Sequence, residues 1–213
     1  MASQARGMRT RRQLLTAAAS TFLERGYEGA SIGEITHRAG LTRGAVYFHF
    51  ASKEELAQGV LDQAVTTEGV RPQTLKLQEL VDTAMALAYR LPREPVLAAA
   101  LRLAVDNGVR RNVRTAWPDW IALLTGILDD AKCRGETLPH VDTGQTARLV
   151  MSGWTGAALV LDGVPDGHDL EYHVGTLLDH LLPSIAVPAV LARLDTAAGR
   201  GARVVAAAAR ETS

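Results

Sequence analysis

The chain has 213 residues, 47% apolar and 22% charged, an ordinary globular composition with enough length to bury a core. Formal net charge is zero, but residues 1–53 hold eight basic side chains (Arg6, Arg9, Arg11, Arg12, Arg25, Arg38, Arg43 and Lys53) against Glu24, Glu28 and Glu34, a net +5 that leaves −5 on the remainder. A basic end on an acidic body is the electrostatic footprint of a nucleic-acid binder. The lone Cys133 excludes an intramolecular disulfide; it lies in an amphipathic pattern and is expected to be at least half-buried. The first residues are polar and basic without an apolar signal core, and no apolar run reaches the ~18 residues of a membrane span. A cytoplasmic protein without a membrane partner is expected.

Ala and Leu dominate, aromatic residues are few, and no apolar–polar alternation is long enough for a strand, so the fold class expected is all-α. Residues 1–8 are expected to be disordered. A first helix runs from Arg9 to about Arg25 with Leu14, Leu15, Ala18, Phe22 and Leu23 on one face, ended by Gly26, with Tyr27 tucked back. Two short helices follow around Gly40. Ser31 and Glu34 form a capping box, Ile32, Ile35 and Ala39 an apolar stripe, and Gly40 suits the left-handed end of a helix. Thr42 caps a second helix from Arg43 to about Phe48, and Ser52 with Glu55 repeats the capping box. This is the grammar of a helix-turn-helix, whose second helix enters the DNA major groove. A long helix is predicted from Lys53 to about Thr67, broken at residues 69–72.

Further helices are predicted over 75–90, 96–105, Pro118 to about Lys132, 142–161, 169–182 (stopped by Pro183) and 188–210. Turns are expected at Asp106–Gly108 and over 162–167, and a basic loop at 109–116. This divides the chain into a helix-turn-helix DNA-binding domain at 1–52, joined by a continuous helix to a ligand-binding and dimerisation domain at 53–213.

Arg43 opens the recognition helix, where a guanidinium can bridge O6 and N7 of guanine. Gly44 and Ala45 let the helix approach base edges, and the Ala45 methyl can meet a thymine methyl. The hydroxyls of Ser31, Thr42 and Tyr47, with His49 and Lys53, suit phosphates, which fix register but carry no sequence information. Val46 and Phe50 read as core. The lead-in G-Y-E-G-A-S-I-G-E-I, the core A-G-L-T-R-G-A-V-Y-F-H-F and the S-K-E-E-L that follows resemble the DNA-binding domain of the TetR family of repressors, over about a quarter of the chain. The resemblance implies the same roles for these positions and a partner in double-stranded operator DNA.

In the larger domain, Trp117, Trp120, Trp154, Met85 and Tyr89 are apolar groups that suit either a core or a small-molecule pocket. The segment V-L-A-A-A-L-R-L-A-V-D-N-G, the W-x-x-W after it and the Gly/Ala-rich stretch at 149–160 resemble the γ-butyrolactone receptor branch of that family. This resemblance implies a small lactone, butenolide or furan signal that controls secondary-metabolite (antibiotic) genes. It also implies a pocket tryptophan that matches Trp120 better than Trp117. The pocket is expected to involve Gln63, Met85, Tyr89, Leu103, Trp120, Leu124 and Thr155, with Gln63 and Thr155 as hydrogen-bonding groups. The small face Gly153, Gly156, Ala157 and Ala158, with Leu177, Leu178, Leu181 and Leu182, is expected to form a homodimer seam that presents two heads to a palindrome.

The six histidines show no H-E-x-x-H or Cys/His metal spacing, and neither a phosphate loop nor G-x-S-x-G occurs. No cofactor, metal or catalytic residue is expected. Two rival readings stand beside the lactone-released repressor: a multidrug-type TetR repressor with a broad pocket, and a DNA-binding dimer that answers to no ligand.

Overall fold

The structure, a computed structural model, describes residues 2–106, 108–111, 113–164 and 167–210. Its elements in chain order are α1 (Ala2–Gly29), α2 (Ile32–Ala39), α3 (Arg43–His49), α4 (Lys53–Ala64), α5 (Lys76–Arg90), α6 (Pro95–Val105), a 3-10 turn (Val109–Arg111), α7 (Trp117–Cys133), α8 (Thr143–Gly163), α9 (Leu170–Ile185), α10 (Pro188–Leu191) and α11 (Arg200–Ala209). Among the described residues there is no strand, only an isolated bridge between Thr137 and Ala186, so the fold is all-α as the composition indicates. Among the described residues no helix is long and apolar enough to cross a membrane. The helices fall into two compact units: the chain up to Thr66 together with Leu91–Trp117, and Thr67–Arg90 together with the chain from Pro118 onward.

The first unit is built on α1, which packs against α2, α4 and α6, while α4 also packs on α6. Leu14, Leu15, Ala18 and Phe22 of α1 are buried, as are Ile35, Val46, Leu56, Val60, Leu61 and Leu103 of the other helices of this unit. The helical φ/ψ of α1 break at Gly26 (φ 71°, ψ 172°), a region open to glycine. The chain folds back there, leaving Tyr27 4% exposed with its ring 5.8 Å from Phe22. Three expectations shift. Helix α1 starts at Ala2, so the disorder expected for residues 1–8 gives way to helix over the described ones. Helix α4 ends at Ala64, three residues early, with Val65 extended (φ −79°, ψ 95°). And α6, the segment 96–105 expected in the larger domain, packs on α1 and α4.

The second unit centres on α5, packed against α9 and α11, with α8 on α9. Two buried carboxylates hold it. Glu136, 4% exposed, accepts the backbone N–H groups of Lys76 and Leu77, each at 2.9 Å, and so caps the start of α5 from far along the chain. Asp82, with no exposed surface, takes Arg200 Nε and Nη2, both at 2.8 Å, and the side-chain amides of Gln73 and Gln78. A buried charge this fully paired fixes α11 on α5. Trp154 of α8 donates its indole N–H to the Ala84 carbonyl of α5 at 3.1 Å.

Other boundaries also move. Helix α9 runs through Pro183 to Ile185, and the helix expected over 188–210 is two, α10 and α11, separated by a turn that ends at Gly199 (φ 77°). Asp162 and Gly163, expected in a loop, close α8; Asn107 of the turn at 106–108, and Pro165 and Asp166, lie outside the described residues. Cys133 is exposed, not half-buried, because it ends α7 on that helix's outer side.

The tightest approach in this unit is at Gly201, where an added Cβ would lie 2.1 Å from the Met85 carbonyl oxygen and 2.9 Å from Glu171 Oε1. Gly201→Ala is therefore expected to pry α11 off α5 and lower stability by about 1–3 kcal/mol, as overpacking does. Denaturant unfolding checks this, and an unchanged midpoint would mean that α11 is not seated there.

Candidate nucleic-acid interface and ligand residues

The two short helices are set by their caps. Ser31 Oγ accepts the Glu34 N–H at 3.1 Å and Thr42 Oγ1 accepts the Ala45 N–H at 3.3 Å. The capping boxes differ from the expected reciprocal form. The Glu34 carboxylate takes Arg25 Nε at 3.3 Å, while Glu55 reaches the Ala51 N–H at 2.7 Å and Ser52 Oγ accepts from the Glu55 N–H at 3.2 Å. Gly40 adopts the left-handed conformation (φ 64°, ψ 32°), and its N–H and that of Leu41 return to the His37 and Thr36 carbonyls at 3.1 and 3.2 Å. Gln13 of α1 donates to the Ala39 carbonyl at 2.7 Å, tying the turn to the core.

That bracket presents one face of α3. Val46 and Phe50, four residues apart, point inward and are 0% and 4% exposed. Thr42, Arg43, Gly44 and Tyr47 are exposed, and Ala45 and His49 half-buried. Among the described residues no ion pair holds Arg43, and nothing lies within 4 Å of the Cβ position at Gly44, so the start of α3 is clear. A Cβ at Gly33 would stand 3.4 Å from Arg43 Nη2 and 3.9 Å from Ser31 Oγ, so both expected contact residues reach the Gly33 end of α2.

Lys53 is placed differently. Its ammonium donates to the carbonyls of Tyr27, Glu28 and Ala30 at 2.9, 3.4 and 3.2 Å and lies 4.5 Å from the Tyr27 ring centroid. A phosphate contact from Lys53 would have to replace those partners. Beside it, Tyr27 donates to Glu54 Oε1 at 3.0 Å; burial and that carboxylate push the phenol up to about 12, so it stays neutral in any working buffer. The residue missed in the sequence is Phe48, 85% exposed on α3. Its signal was present: two residues from both Val46 and Phe50, it lies about 200° around the helix from the core face.

The expected ligand residues divide between the units. Gln63 and Leu103 lie in the first; Met85, Tyr89, Trp120, Leu124 and Thr155 in the second. Met85, Leu103, Trp120, Leu124 and Thr155 are all buried and Tyr89 is half-buried. Thr155 follows Trp154, whose bond to Ala84 sets this stretch of α8 beside the Met85 turn of α5. Two of the buried polar atoms that lack a hydrogen-bond partner are Gln63 Oε1 and Thr155 Oγ1, the two groups expected to bond a ligand. Thr137 Oγ1 shares that condition without having been singled out. Trp117 is half-buried under the Arg110 guanidinium, 5.7 Å from its ring centroid. On α8, Leu149, Val160 and Val164 are 55%, 63% and 69% exposed. Gly156 faces open space, whereas Gly153 lies where Leu177 of α9 would meet a Cβ at 2.9 Å.

Residues 14–60 match the model of bacterial regulatory proteins of the tetR family. The A-factor receptor protein of Streptomyces griseus is 39% identical over 194 residues, 91% of this chain and 70% of that protein. The solved structure of TylP, a TetR regulator from Streptomyces fradiae, superposes with a TM-score of 0.88 at 39% identity, covering 98% of this chain and 93% of TylP. A solved gamma-butyrolactone receptor, described as ArpA-like, gives a TM-score of 0.64 at 29% identity, covering 96% of this chain and 97% of the other.

The left-handed turn yields a direct test. Gly40→Ala is expected to cost about 1–2 kcal/mol and Gly40→Asn distinctly less, because Asn tolerates that conformation and Ala does not. Chemical denaturation of both variants reads the difference, and equal losses would contradict a left-handed Gly40.

Proposed function

The chain belongs to the TetR family of bacterial regulatory proteins, and on that premise we propose that it is a ligand-released transcriptional repressor of secondary-metabolite genes, working in the cytoplasm as a homodimer on a palindromic operator. The recognition helix is α3. Arg43 reads a guanine edge, Gly44 and Ala45 allow the close approach, and Ser31, Thr42, Tyr47 and His49 hold phosphates, with Lys53 fixing the head that carries them. The exposed face of α8 around Gly156, with Leu149 and Val160, meets its copy on a second chain. It carries out no chemistry; its work is binding.

The released state answers to a small lactone, butenolide or furan. The A-factor receptor and the gamma-butyrolactone receptor among its relatives support that class. The observation that carries ligand binding is the buried Thr155 hydroxyl without a partner. An unbonded buried hydroxyl costs free energy that a protein retains where a ligand supplies the missing bond. Buried Trp120, Leu124 and Met85 in the same unit give the apolar surroundings, and Trp120 is the better pocket tryptophan because Trp117 is stacked under Arg110. On α4, the Gln63 carbonyl stands with the same need.

Thr155→Val tests this, because the two roles predict opposite results. The variant is expected to unfold at equal or higher denaturant concentration, the orphan hydroxyl being gone. It is also expected to need roughly three- to tenfold more of a synthetic γ-butyrolactone to free half the operator, the worth of one hydrogen bond at ~0.5–1.5 kcal/mol. Lower stability with unchanged release would make Thr155 an ordinary core residue, and release by several unrelated cationic drugs would point to a broad multidrug pocket.

A further inference from the structure

Away from Thr155 and Trp120, the second unit has a cleft of about 330 Å³ between the 69–73 segment and α11. Its walls bring together Arg71, Arg200, Arg203 and Arg210 with Val204 and Ala207. The arginines are not equivalent. Arg200 is held by Asp82 at 2.8 Å and Asp195 at 3.1 Å and serves the fold. Arg71 crosses the cleft to the Ala207 carbonyl at 2.6 Å, which fixes its guanidinium at the wall. Arg203 gives Nη2 to Asp195 at 2.9 Å and Nη1 to the Ala198 carbonyl at 3.3 Å, yet its side chain stays 52% exposed. Arg210 is exposed. Among the described lining residues there is no acid, and the wall along α11 is apolar at Val204 and Ala207.

We propose that this cleft binds a small organic acid, its carboxylate between Arg203 and Arg210 beside Arg71 and its apolar body against Val204 and Ala207. The guanidinium fork suits a planar, two-oxygen anion, and the bonds of Arg203 to Asp195 and Ala198 hold that fork in place before the ligand arrives. The volume lies at the low end for ligand sites, ~300–1,000 Å³, so the occupant is small. One wall is α11, whose first turn is clamped to α5 through Arg200 and Asp82, so occupancy also ties that helix to the 69–73 segment.

Isothermal titration of the full chain at constant ionic strength tests this with octanoate, the neutral octanamide and inorganic phosphate. Saturable octanoate binding is expected, about tenfold weaker in Arg203→Gln or Arg210→Gln, the size of one hydrogen bond to a charged group. It is expected to be unchanged in Thr155→Val, which separates this cleft from the lactone site. Octanamide binding as well as octanoate, or native-like octanoate affinity in Arg210→Gln, would overturn the proposal. Phosphate binding as tightly as octanoate would overturn the assignment to an organic acid. Should Arg203→Gln fail to fold for want of its bond to Asp195, the exposed Arg210→Gln carries the test.

Discussion

A helix of seven residues does not persist alone in water, since it cannot repay the cost of its own nucleation. Helix α3 is that short, so everything the head does depends on holding it from outside. The hold starts at Lys53, whose ammonium gathers the carbonyls of Tyr27, Glu28 and Ala30 where α1 ends, and so pins the start of α4 to the residues that precede α2. The helix-turn-helix lies between those two points. Gly40 turns it, Gln13 closes the Ala39 end, and Val46 and Phe50 seat α3 on the core. With both ends of the segment fixed, the only freedom left to α3 is which face it shows, and the two buried positions decide that.

The second unit solves a different problem with the same kind of part. Its helices are apolar over much of their surface, and Leu, Ala and Val alone would allow several ways of stacking them. Buried carboxylates narrow the choice: Glu136 marks where α5 begins, Asp82 where α11 must cross it, and Glu171 receives the Gly201 N–H at 2.7 Å. Each leaves a costly charge unless its own set of donors is in place. Thr155 and Thr137 stand out against this background because their hydroxyls lack what the carboxylates have.

Much of the head was legible in the sequence, because its determinants are local. A serine three residues before a glutamate, a glycine between two short helices and a pair of apolar residues four apart act within one or two turns. The second unit was legible as helices but not as an arrangement. Asp82 and Arg200 are 118 residues apart, and nothing in either neighbourhood names the other. The segment from Pro95 to Val105 is apolar nearly all round, so its pattern carries no address and its seat on α1 and α4 could not be read. Helix ends moved where tertiary contacts outweighed a local signal, as at Pro183, which α9 accommodates near its last turn. Phe48 is apolar but stands outside, because its angle on α3 turns it away from Val46 and Phe50.

The central claim is that the head presents α3 so that Arg43 reads a base. The most direct measurement compares Arg43→Ala with the native protein on operator and on scrambled DNA at one salt concentration. The account predicts a loss of ~1–3 kcal/mol on the operator and little change on scrambled DNA. Equal losses on both would reduce Arg43 to a phosphate contact and contradict the claim.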